Sequence, residues 1–325
     1  MKARVMLIGG AGYIGSICGH VLTQAGATVV TYDNLSSGHR AAAQGSLIEG
    51  DIRDRAALTT ALKTHRIDAV MHFAALSLVG ESVKHPLRYF DVNVAGTVSL
   101  LQAMSDAGVR RLVFSSTCAI YGPPQRLPMD EAHPHAPISP YGRSKDMVEK
   151  ILAACREREG FSITALRYFN AAGATPDGLL GESHSPESHL IPLALDAALG
   201  RRPPLSLFGT DYETRDGTCV RDYVHVLDLA SAHLLAAQRL LAGDRGDVYN
   251  LGTGNGTTVR EIIDAIEAVT GLPVPHSEAP RRPGDPPALY ASSEKIRADL
   301  GWEPTWTDIA SIIETAASWS KNPRY

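Results

Sequence analysis

The chain has 325 residues, of which 44% are hydrophobic and 20% are charged, an ordinary composition for a globular protein. This length favours two lobes over a single core. The formal net charge is -4 and the sequence has no long basic run, so it predicts no partnership with nucleic acid or with an anionic membrane surface.

Short apolar runs alternate with helix-like segments through the first half of the chain. The apolar runs predict β-strands at residues 4–8, 28–32, 46–49, 69–73, 111–115 and 162–167. The segments between them predict helices at residues 15–24, 56–64, 87–106 and 141–159. Because buried strands that alternate with helices form parallel crossover units, the predicted fold class is α/β, with a doubly wound parallel Rossmann sheet.

The composition changes after Asn170, where glycine and proline become frequent. We expect an NAD-binding Rossmann domain over residues 1–170, with a later return near residues 222–254 that includes a strand at 247–252. We expect residues 171–325 to form mainly a smaller mixed α/β lobe that binds the substrate. The four-proline segment 279–287 is expected to be an ordered loop.

The four cysteines, Cys18, Cys118, Cys155 and Cys219, are far apart in the sequence and form no Cys-x-x-Cys pair. They predict reduced thiols rather than a disulfide framework or a zinc site, and no metal is expected. The N-terminal apolar run is too short for a signal sequence, and no stretch is long enough to span a membrane. The expected location is the cytoplasm.

A glycine-rich loop follows the first predicted strand and opens a helix. It places Gly9, Gly12 and Gly15 in the spacing Gly-x-x-Gly-x-x-Gly. Such glycines permit a tight turn and close backbone approach, while the helix N-terminus offers N–H groups and a positive dipole to a pyrophosphate. The loop alone is a weak indicator, because many strand–turn–helix joints need glycine.

Asp33 ends the second predicted strand, where an acidic residue binds the ribose hydroxyls of a dinucleotide. A carboxylate there would repel a 2′-phosphate, so the sequence favours NAD over NADP. The alternative interpretation is that Asp33 caps the turn at Asn34. Asp51 and Ile52 follow the third strand and could contact adenine, although a helix N-cap explains Asp51 nearly as well.

Tyr141 and Lys145 are four residues apart and share one face of a predicted helix, with Ser139 as its N-cap and Pro140 in its first turn. The pKa of a tyrosine hydroxyl is ordinarily about 10, and a neighbouring ammonium and an oxidised nicotinamide ring would both lower it. The couple therefore predicts a general base that works near neutral pH. Its alternative interpretation is an exposed helix face.

Thr117 lies just past the predicted strand 111–115, at the sheet edge where ligands bind in open α/β folds. Its hydroxyl could bind a sugar oxygen and relay a proton to Tyr141. The alternative is a hydroxyl that only forms a turn.

Motifs along nearly the whole chain resemble the extended short-chain dehydrogenase/reductase family and, within it, the UDP-glucose 4-epimerases, most closely bacterial forms that supply exopolysaccharide synthesis. The motifs that carry the resemblance lie at residues 9–16, 33–36, 49–53, 72–75, 79–82, 114–122, 141–145, 166–170, 216–228, 250–254 and 281–285.

The resemblance implies reversible NAD-dependent 4-epimerisation of UDP-glucose and UDP-galactose. Tyr141 would take the proton of the sugar 4-hydroxyl while a hydride passes from C4 to tightly bound NAD, which leaves a 4-keto intermediate. This intermediate would turn about its link to the diphosphate and receive the hydride on its other face. The anchored nucleotide would keep the intermediate in place throughout.

The resemblance also implies which residues bind each group. Those implied for NAD are Gly9, Gly12, Tyr13, Ile14, Gly15, Asp33, Asn34, Asp51, Ile52, Phe73, Ala74, Ala75, Asn93, Ser115, Tyr141, Lys145 and Tyr168. Those implied for the UDP-sugar are Thr117, Tyr141, Asn170, His189, Leu190, Phe208, Arg221, Arg282, Asp285 and Leu289. Guanidinium groups suit a diphosphate because they offer forked, charge-assisted donors, although a single arginine is more often a solvated surface residue.

Four positions depart from the family. Thr117 replaces a common serine and keeps the hydroxyl. Ser77 stands where some members have a lysine that contacts the cofactor, and His189 stands where an amide is common. Leu289 stands where some members have a tyrosine, and the shorter leucine would admit an N-acetyl group, so UDP-N-acetylglucosamine is an alternative substrate.

The same scaffold supports other functions. Related dehydratases and decarboxylases place an acid just after the hydroxyl residue, whereas Cys118 and Ala119 follow Thr117, which disfavours those reactions. Interconversion of UDP-xylose and UDP-arabinose uses the same C4 chemistry and stays open. A non-catalytic NAD-binding sensor would share the fold. The family pairs through segments 87–106 and 141–159, so the resemblance implies a homodimer, although their apolar residues equally suit core packing.

Overall fold

The computed structural model describes residues 1–282 and 285–325. The elements of the first half are β1 (Arg4–Ile8), α1 (Tyr13–Gln24), β2 (Thr28–Asp33), β3 (Ser46–Glu49), α2 (Arg55–Thr64), β4 (Ala69–His72), α3 (Val79–Lys84), α4 (Pro86–Tyr89), α5 (Gly96–Ala107), β5 (Arg111–Ser115), α6 (Pro140–Arg158) and β6 (Ser162–Tyr168).

The second half has shorter strands. Its elements are β7 (Asn170–Ala172), α7 (Leu190–Ala198), β8 (Leu205–Phe208), β9 (Val220–Arg221), β10 (Tyr223–His225), α8 (Val226–Leu241), β11 (Val248–Leu251), β12 (Thr257–Thr258), α9 (Val259–Thr270), β13 (His276–Ala279), β14 (Ala288–Leu289), α10 (Glu294–Leu300) and α11 (Ile309–Lys321). No helix in the described residues has the length and apolar character needed to cross a membrane.

Seven parallel strands form the central sheet, in the order β11-β6-β5-β4-β1-β2-β3. The order reverses between β1 and β4, and ligands bind at such a switch point in open α/β sheets. The predicted fold class is confirmed, and the segment predicted at 247–252 does return to the sheet, where Asn250 of β11 lies opposite Arg167 of β6.

Alternating side chains of β1 divide the core between the two faces of the sheet. Met6 and Ile8 pack with residues of α2, α5 and α6, whereas Val5 and Leu7 pack with residues of α1 and α8. Successive strand residues point to opposite faces, so a fully apolar strand must be covered on both sides. A third core joins α7, α9 and α11 beside the small sheets.

The helix predicted over residues 87–106 is not a single α-helix, and this prediction is wrong in detail. The structure has α4, then a π-helical segment Phe90–Ala95, then α5. The wider turn holds Asn93, whose side chain bonds to the backbone of Leu76 outside the helix. Such π-helical segments are frequent at functional sites.

Candidate active site

The glycine loop between β1 and α1 is tightly packed at two of its glycines. A Cβ atom at Gly9, whose φ is +79°, would lie 2.4 Å from the backbone nitrogen of Ala74. A Cβ atom at Gly15 would lie 2.4 Å from the carbonyl oxygen of Gly9. Side chains at these two positions would therefore force the backbone apart.

Gly12 serves a different purpose, because a Cβ atom there would meet nothing closer than the Gly9 carbonyl at 3.6 Å. Gly12 is the N-cap of α1, and among the described residues no side chain caps this helix start. The first-turn N–H groups therefore keep their bonding capacity, and the helix dipole adds positive potential. This donor set fits a pyrophosphate, as the sequence predicted.

Asp33 lies at the end of β2 beside this loop, and its carboxylate is buried. Its Oδ2 atom accepts a 2.9 Å hydrogen bond from the Ala11 N–H, and Oδ1 accepts a 2.8 Å bond from the Leu35 N–H. Asp33 therefore forms the turn, as its alternative interpretation states, and it also orders the glycine loop, whereas the binding of ribose hydroxyls stays a prediction. Each oxygen retains a lone pair that could accept from a ribose hydroxyl.

Asp51 and Asn34 meet at the next strand end, where the Asn34 amide donates to the Asp51 carboxylate at 3.3 Å. Hydrogen bonds from Arg53 hold the pKa of Asp51 well below its usual range. The alternative that Asp51 caps a helix is wrong, because α2 has Asp54 as its N-cap. Ile52 is buried in the core.

The segment after β4 lies against the glycine loop. The N–H groups of Phe73 and Ala74 both donate to the Ile8 carbonyl, at 2.8 and 2.9 Å. Asn93 is buried and binds the Leu76 backbone through both ends of its amide, at 2.8 and 3.0 Å. Its Nδ2 atom also donates to Ser144 Oγ at 2.9 Å, which ties this segment to α6. Ala75 is half-buried and Ser77 is exposed on the same stretch.

Tyr141 and Lys145 lie in the first two turns of α6, as predicted. Ser139 is the N-cap and accepts a 3.1 Å bond from the Gly142 N–H, and Pro140 opens the helix. Lys145 is 4% exposed, and its ammonium donates a 2.9 Å hydrogen bond to the Ser115 carbonyl and lies 4.6 Å from the centre of the Phe114 ring.

Burial shifts the pKa of both members of this couple. It lowers the pKa of Lys145 to about 7 and raises that of the Tyr141 hydroxyl, which a hydrogen bond with Thr117 partly offsets. For the chain without a cofactor, desolvation outweighs the contribution of the neighbours of Tyr141, and the lower pKa expected beside an oxidised nicotinamide ring stays a prediction. Positive charge from a bound ligand beside the hydroxyl would shift the balance towards phenolate.

Thr117 forms the turn that was its alternative interpretation, because its Oγ1 atom accepts a 3.1 Å hydrogen bond from the Ala119 N–H. Its hydroxyl also acts to lower the pKa of Tyr141, and the relay of a proton to Tyr141 stays a prediction. The hydroxyls of Ser115 and Tyr168 form a buried hydrogen bond next to this position. The carboxyl edge of the sheet thus brings together the end of β5, the start of α6 and the hydroxyls of Ser115 and Tyr168.

The residues predicted for a diphosphate and a ribose lie around the small strands. The Arg221 guanidinium forms an ion pair with Asp285 and also donates to the Pro286 carbonyl at 3.1 Å. The Arg282 guanidinium carbon stacks 4.0 Å from the centre of the Phe208 ring. Pro283 and Gly284, which belong to the same motif, lie outside the described residues.

Leu289 lies opposite Arg221 in the β9–β14 pair and packs against the cluster that contains Cys118 and Tyr121, next to Thr117. This places it on the catalytic side of the small strands. Asn170 donates from its backbone and its amide to the Asp222 carbonyl, at 3.2 and 2.8 Å.

Leu190 begins α7 and packs against the third core. His189 precedes it as the N-cap residue, and its Nδ1 atom contacts two carboxylates rather than a backbone group.

A buried polar network behind the strand end was missed by the sequence analysis. Arg167 pairs with Glu149 and donates a 2.8 Å bond to the Tyr121 hydroxyl, and Ser116 donates to the same Glu149 carboxylate. Tyr121 in turn donates to Asn250 at 2.7 Å. The signal in the sequence was a charged residue inside the apolar strand β6, together with an acid four residues after Lys145.

The family described as NAD dependent epimerase/dehydratase family matches residues 5–252. A UDP-glucose 4-epimerase of Rhizobium meliloti is 52% identical over 317 residues, which cover 97% of this chain and 96% of that protein.

Two solved structures are similar to the whole fold. The UDP-glucose 4-epimerase from Brucella ovis in complex with NAD has a TM-score of 0.96 at 48% identity, and covers 97% of this chain and 98% of that one. The UDP-glucose-4-epimerase from Stenotrophomonas maltophila, with bound NAD and formylated UDP-arabinopyranose, has a TM-score of 0.96 at 41% identity and covers 98% of both chains. The chain therefore belongs to the NAD dependent epimerase/dehydratase family, and its similarity to UDP-glucose 4-epimerases extends over almost its whole length.

Proposed function

We propose that this protein interconverts UDP-glucose and UDP-galactose by reversible epimerisation at C4 of the sugar, with tightly bound NAD as its cofactor. The observation that carries the proposal is the buried Lys145 ammonium, which donates to the carbonyl of Ser115 and so holds the start of α6, with Tyr141, against the end of β5 that leads to Thr117. The relatives and solved structures described above support the same reaction.

The chain's own residues handle the proton of the sugar. Tyr141 takes the proton of the 4-hydroxyl, with Thr117 as a hydrogen-bonded relay. It returns the proton after the 4-keto sugar has rotated to present its other face. NAD, when bound, supplies the redox chemistry at C4. Lys145 provides positive charge next to the tyrosine and is fixed by the Ser115 carbonyl.

We propose that the residues inferred from the sequence bind NAD and the UDP-sugar. The glycine loop and Asp33 hold the dinucleotide, and the residues around β9 and β14 hold UDP. Arg221 now pairs with Asp285, so a bound diphosphate would compete for the guanidinium. The corresponding division is a cofactor domain at residues 1–170, with a return near 222–254, and a mainly UDP-sugar lobe at 171–325.

Elimination and decarboxylation need an acid next to the hydroxyl residue, and the side chain present there is the buried thiol of Cys118. Burial raises the pKa of this thiol well above its ordinary value, so it stays protonated. This supports epimerisation over the reactions of related dehydratases.

A second copy of the chain is the proposed partner. Large apolar side chains are exposed on α3, α4 and α6, which pack side by side. They are Val79, Val83, Leu87 and Met147. Because exposed apolar patches mark interaction surfaces, we propose that this face forms a homodimer. Sedimentation of the Leu87→Asp variant tests it: a monomer is expected, and an unchanged dimer would contradict the assignment.

Product analysis tests the proposed reaction. The purified protein is incubated separately with UDP-galactose and UDP-arabinose, without added cofactor, and each 4-epimer is quantified. We expect UDP-galactose to be the faster substrate. Faster turnover of UDP-arabinose would instead favour the pentose reaction, which the ligand of the Stenotrophomonas structure makes the principal rival. In the cell we propose galactose metabolism or exopolysaccharide synthesis as the setting.

A further inference from the structure

Two histidines and two glutamates converge in the segment between β7 and α7. They are Glu182, His184, Glu187 and His189, and one ligand atom from each lies within 4.8 Å of every other. The proposed epimerase mechanism makes no use of the two glutamates or of His184.

The distances within this cluster suit a four-coordinate metal ion. His189 Nδ1 lies 2.7 Å from Glu182 Oε1 and 3.0 Å from Glu187 Oε1. His184 Nδ1 lies 3.2 Å from Glu182 Oε1 and 3.5 Å from Glu187 Oε2. A tetrahedral zinc site with bonds of about 2.0 Å has ligand atoms roughly 3.3 Å apart, so only small side-chain movements are needed.

His184 supplies an independent indication of a missing ligand. Its Nδ1 atom is shielded from solvent and, within the described residues, makes no hydrogen bond of normal geometry, although two carboxylates lie within ion-pair distance. Buried polar atoms usually have a partner. A cation held between the two carboxylates would be that partner.

The C-terminal region holds the segment in place from behind. The Trp319 indole donates a 2.7 Å hydrogen bond to the Glu182 carbonyl, and the Tyr325 hydroxyl donates a 3.0 Å bond to the Gly181 carbonyl. Glu182 and Glu187 have side chains only 8% and 15% exposed. A cavity of about 200 Å³ borders Glu182, His184 and Glu187 and offers an entry path.

We propose that Glu182, His184, Glu187 and His189 bind one divalent transition-metal ion such as Zn²⁺, through two imidazole nitrogens and two carboxylate oxygens. Such mixed nitrogen and oxygen ligands suit borderline cations. The ion fixes the start of α7 and its Leu190, and it braces Tyr13 of α1, whose ring centre is 6.4 Å from that of His184. The proposal departs from the expectation, based on cysteine spacing, that the chain holds no metal.

The same four groups could instead form a metal-free network of two imidazolium ions and two carboxylates. Burial acts to lower the pKa of His189, but the carboxylates of Glu182 and Glu187 outweigh it and raise the pKa to about 10. Both arrangements are electrically neutral, since one divalent ion replaces two protons. A direct measurement of metal binding therefore distinguishes the metal site from the metal-free network.

The test uses the full-length protein, stripped with a chelator and dialysed, and then titrated with Zn²⁺ or with Co²⁺ as a spectroscopic probe. We expect one equivalent of Zn²⁺ per chain to remain after gel filtration, and the intense visible absorption of four-coordinate Co²⁺. Binding below a tenth of an equivalent, or only the weak spectrum of solvated Co²⁺, would overturn the proposal.

His184→Asn and Glu182→Gln are each expected to weaken Zn²⁺ binding more than about 100-fold, because loss of an outer partner alone costs about 10- to 100-fold. His135→Asn is the matched control, since His135 forms a single pair with Asp146 at 2.7 Å and should bind Zn²⁺ like the parent. Equal affinity in all variants would show that the ion binds elsewhere and contradict the site. If a variant fails to fold, the Co²⁺ spectrum of the parent still shows whether the chain holds a four-coordinate metal site.

Discussion

The Lys145 ammonium donates a 2.9 Å hydrogen bond to the carbonyl oxygen of Ser115, so the second turn of α6 is joined to the last residue of β5. Tyr141 precedes Lys145 by one helical turn, and Thr117 follows Ser115 by two residues. This bond therefore holds the helix turn that carries the tyrosine against the strand end that leads to the threonine.

Replacing Lys145 by methionine removes the charge and the bond while keeping an unbranched side chain that is one atom shorter. We expect kcat to fall by roughly 10²-fold or more, because the general base loses both its neighbour and its fixed position. Steady-state kinetics with UDP-galactose measures the change. Lys150→Met, on the exposed side of the same helix, is the control, and an equal loss in both variants would contradict a specific effect of Lys145.

The buried ion pair of Glu149 and Arg167 is expected to stabilise the same strand end. Glu149→Gln leaves the guanidinium, which is only 5% exposed, without its counter-charge. Breaking such a pair costs about 3–5 kcal/mol. Urea unfolding of the variant measures this loss, with Glu157→Gln on the exposed surface of α6 as the control. A loss below about 1 kcal/mol would show that the pair is not needed for stability.

Leu289 is predicted to set the space available to the sugar. It packs beside Cys118 and Tyr121, so a tyrosine in its place would extend over the catalytic side. We expect the parent to epimerise UDP-N-acetylglucosamine and Leu289→Tyr to lose this activity selectively. The two substrates are compared by kcat/KM. The hypothesis fails if the parent has no detectable turnover of the N-acetyl sugar while it rapidly epimerises UDP-glucose.

Stability is predicted to fall in acid through His233. Burial lowers its pKa from 6.5 to about 4, although the hydrogen bond with the Leu229 carbonyl acts in the opposite direction. Between these values the unfolded chain binds a proton that the folded chain does not, so the free energy of unfolding decreases as the pH falls from 6.5 to 4. His233 contributes up to about 1.4 kcal/mol per pH unit.

The His233→Asn variant should therefore show a smaller slope of unfolding free energy against pH within that window. Urea titrations at several pH values between 6.5 and 4 measure both slopes. Identical slopes in the parent and the variant would mean that His233 is protonated in the folded state as well.

The first half of the fold could be predicted because its strands are short, mainly apolar runs between helical segments. The run at β1 is buried on both faces, so its sequence alone identifies a central strand. The π-helical segment around Asn93 was missed because helical periodicity does not report a side chain's bond to a distant backbone. Two-residue strands such as β9 have no periodicity to detect.

The cofactor side of the candidate site was easier to predict than the substrate side. Gly9, Gly12 and Asp33 lie close together in sequence, within one strand–turn–helix–strand unit. In contrast, Arg221 and Asp285 are 64 residues apart, and their ion pair arises only when β9 and β14 come together. The raised pKa of Tyr141 was also missed, because the extent of its burial depends on packing across the whole site.

Comparison of the parent with Tyr141→Phe tests the central claim most directly. Both proteins are given UDP-galactose without added cofactor, and UDP-glucose and the NAD released on denaturation are quantified. The parent should reach the equilibrium mixture, and the variant should be slower by roughly 10²- to 10⁴-fold with the same NAD content. Equal turnover in the two proteins, or no UDP-glucose from an NAD-loaded parent, would contradict the assignment of Tyr141 as the base of a UDP-sugar 4-epimerase.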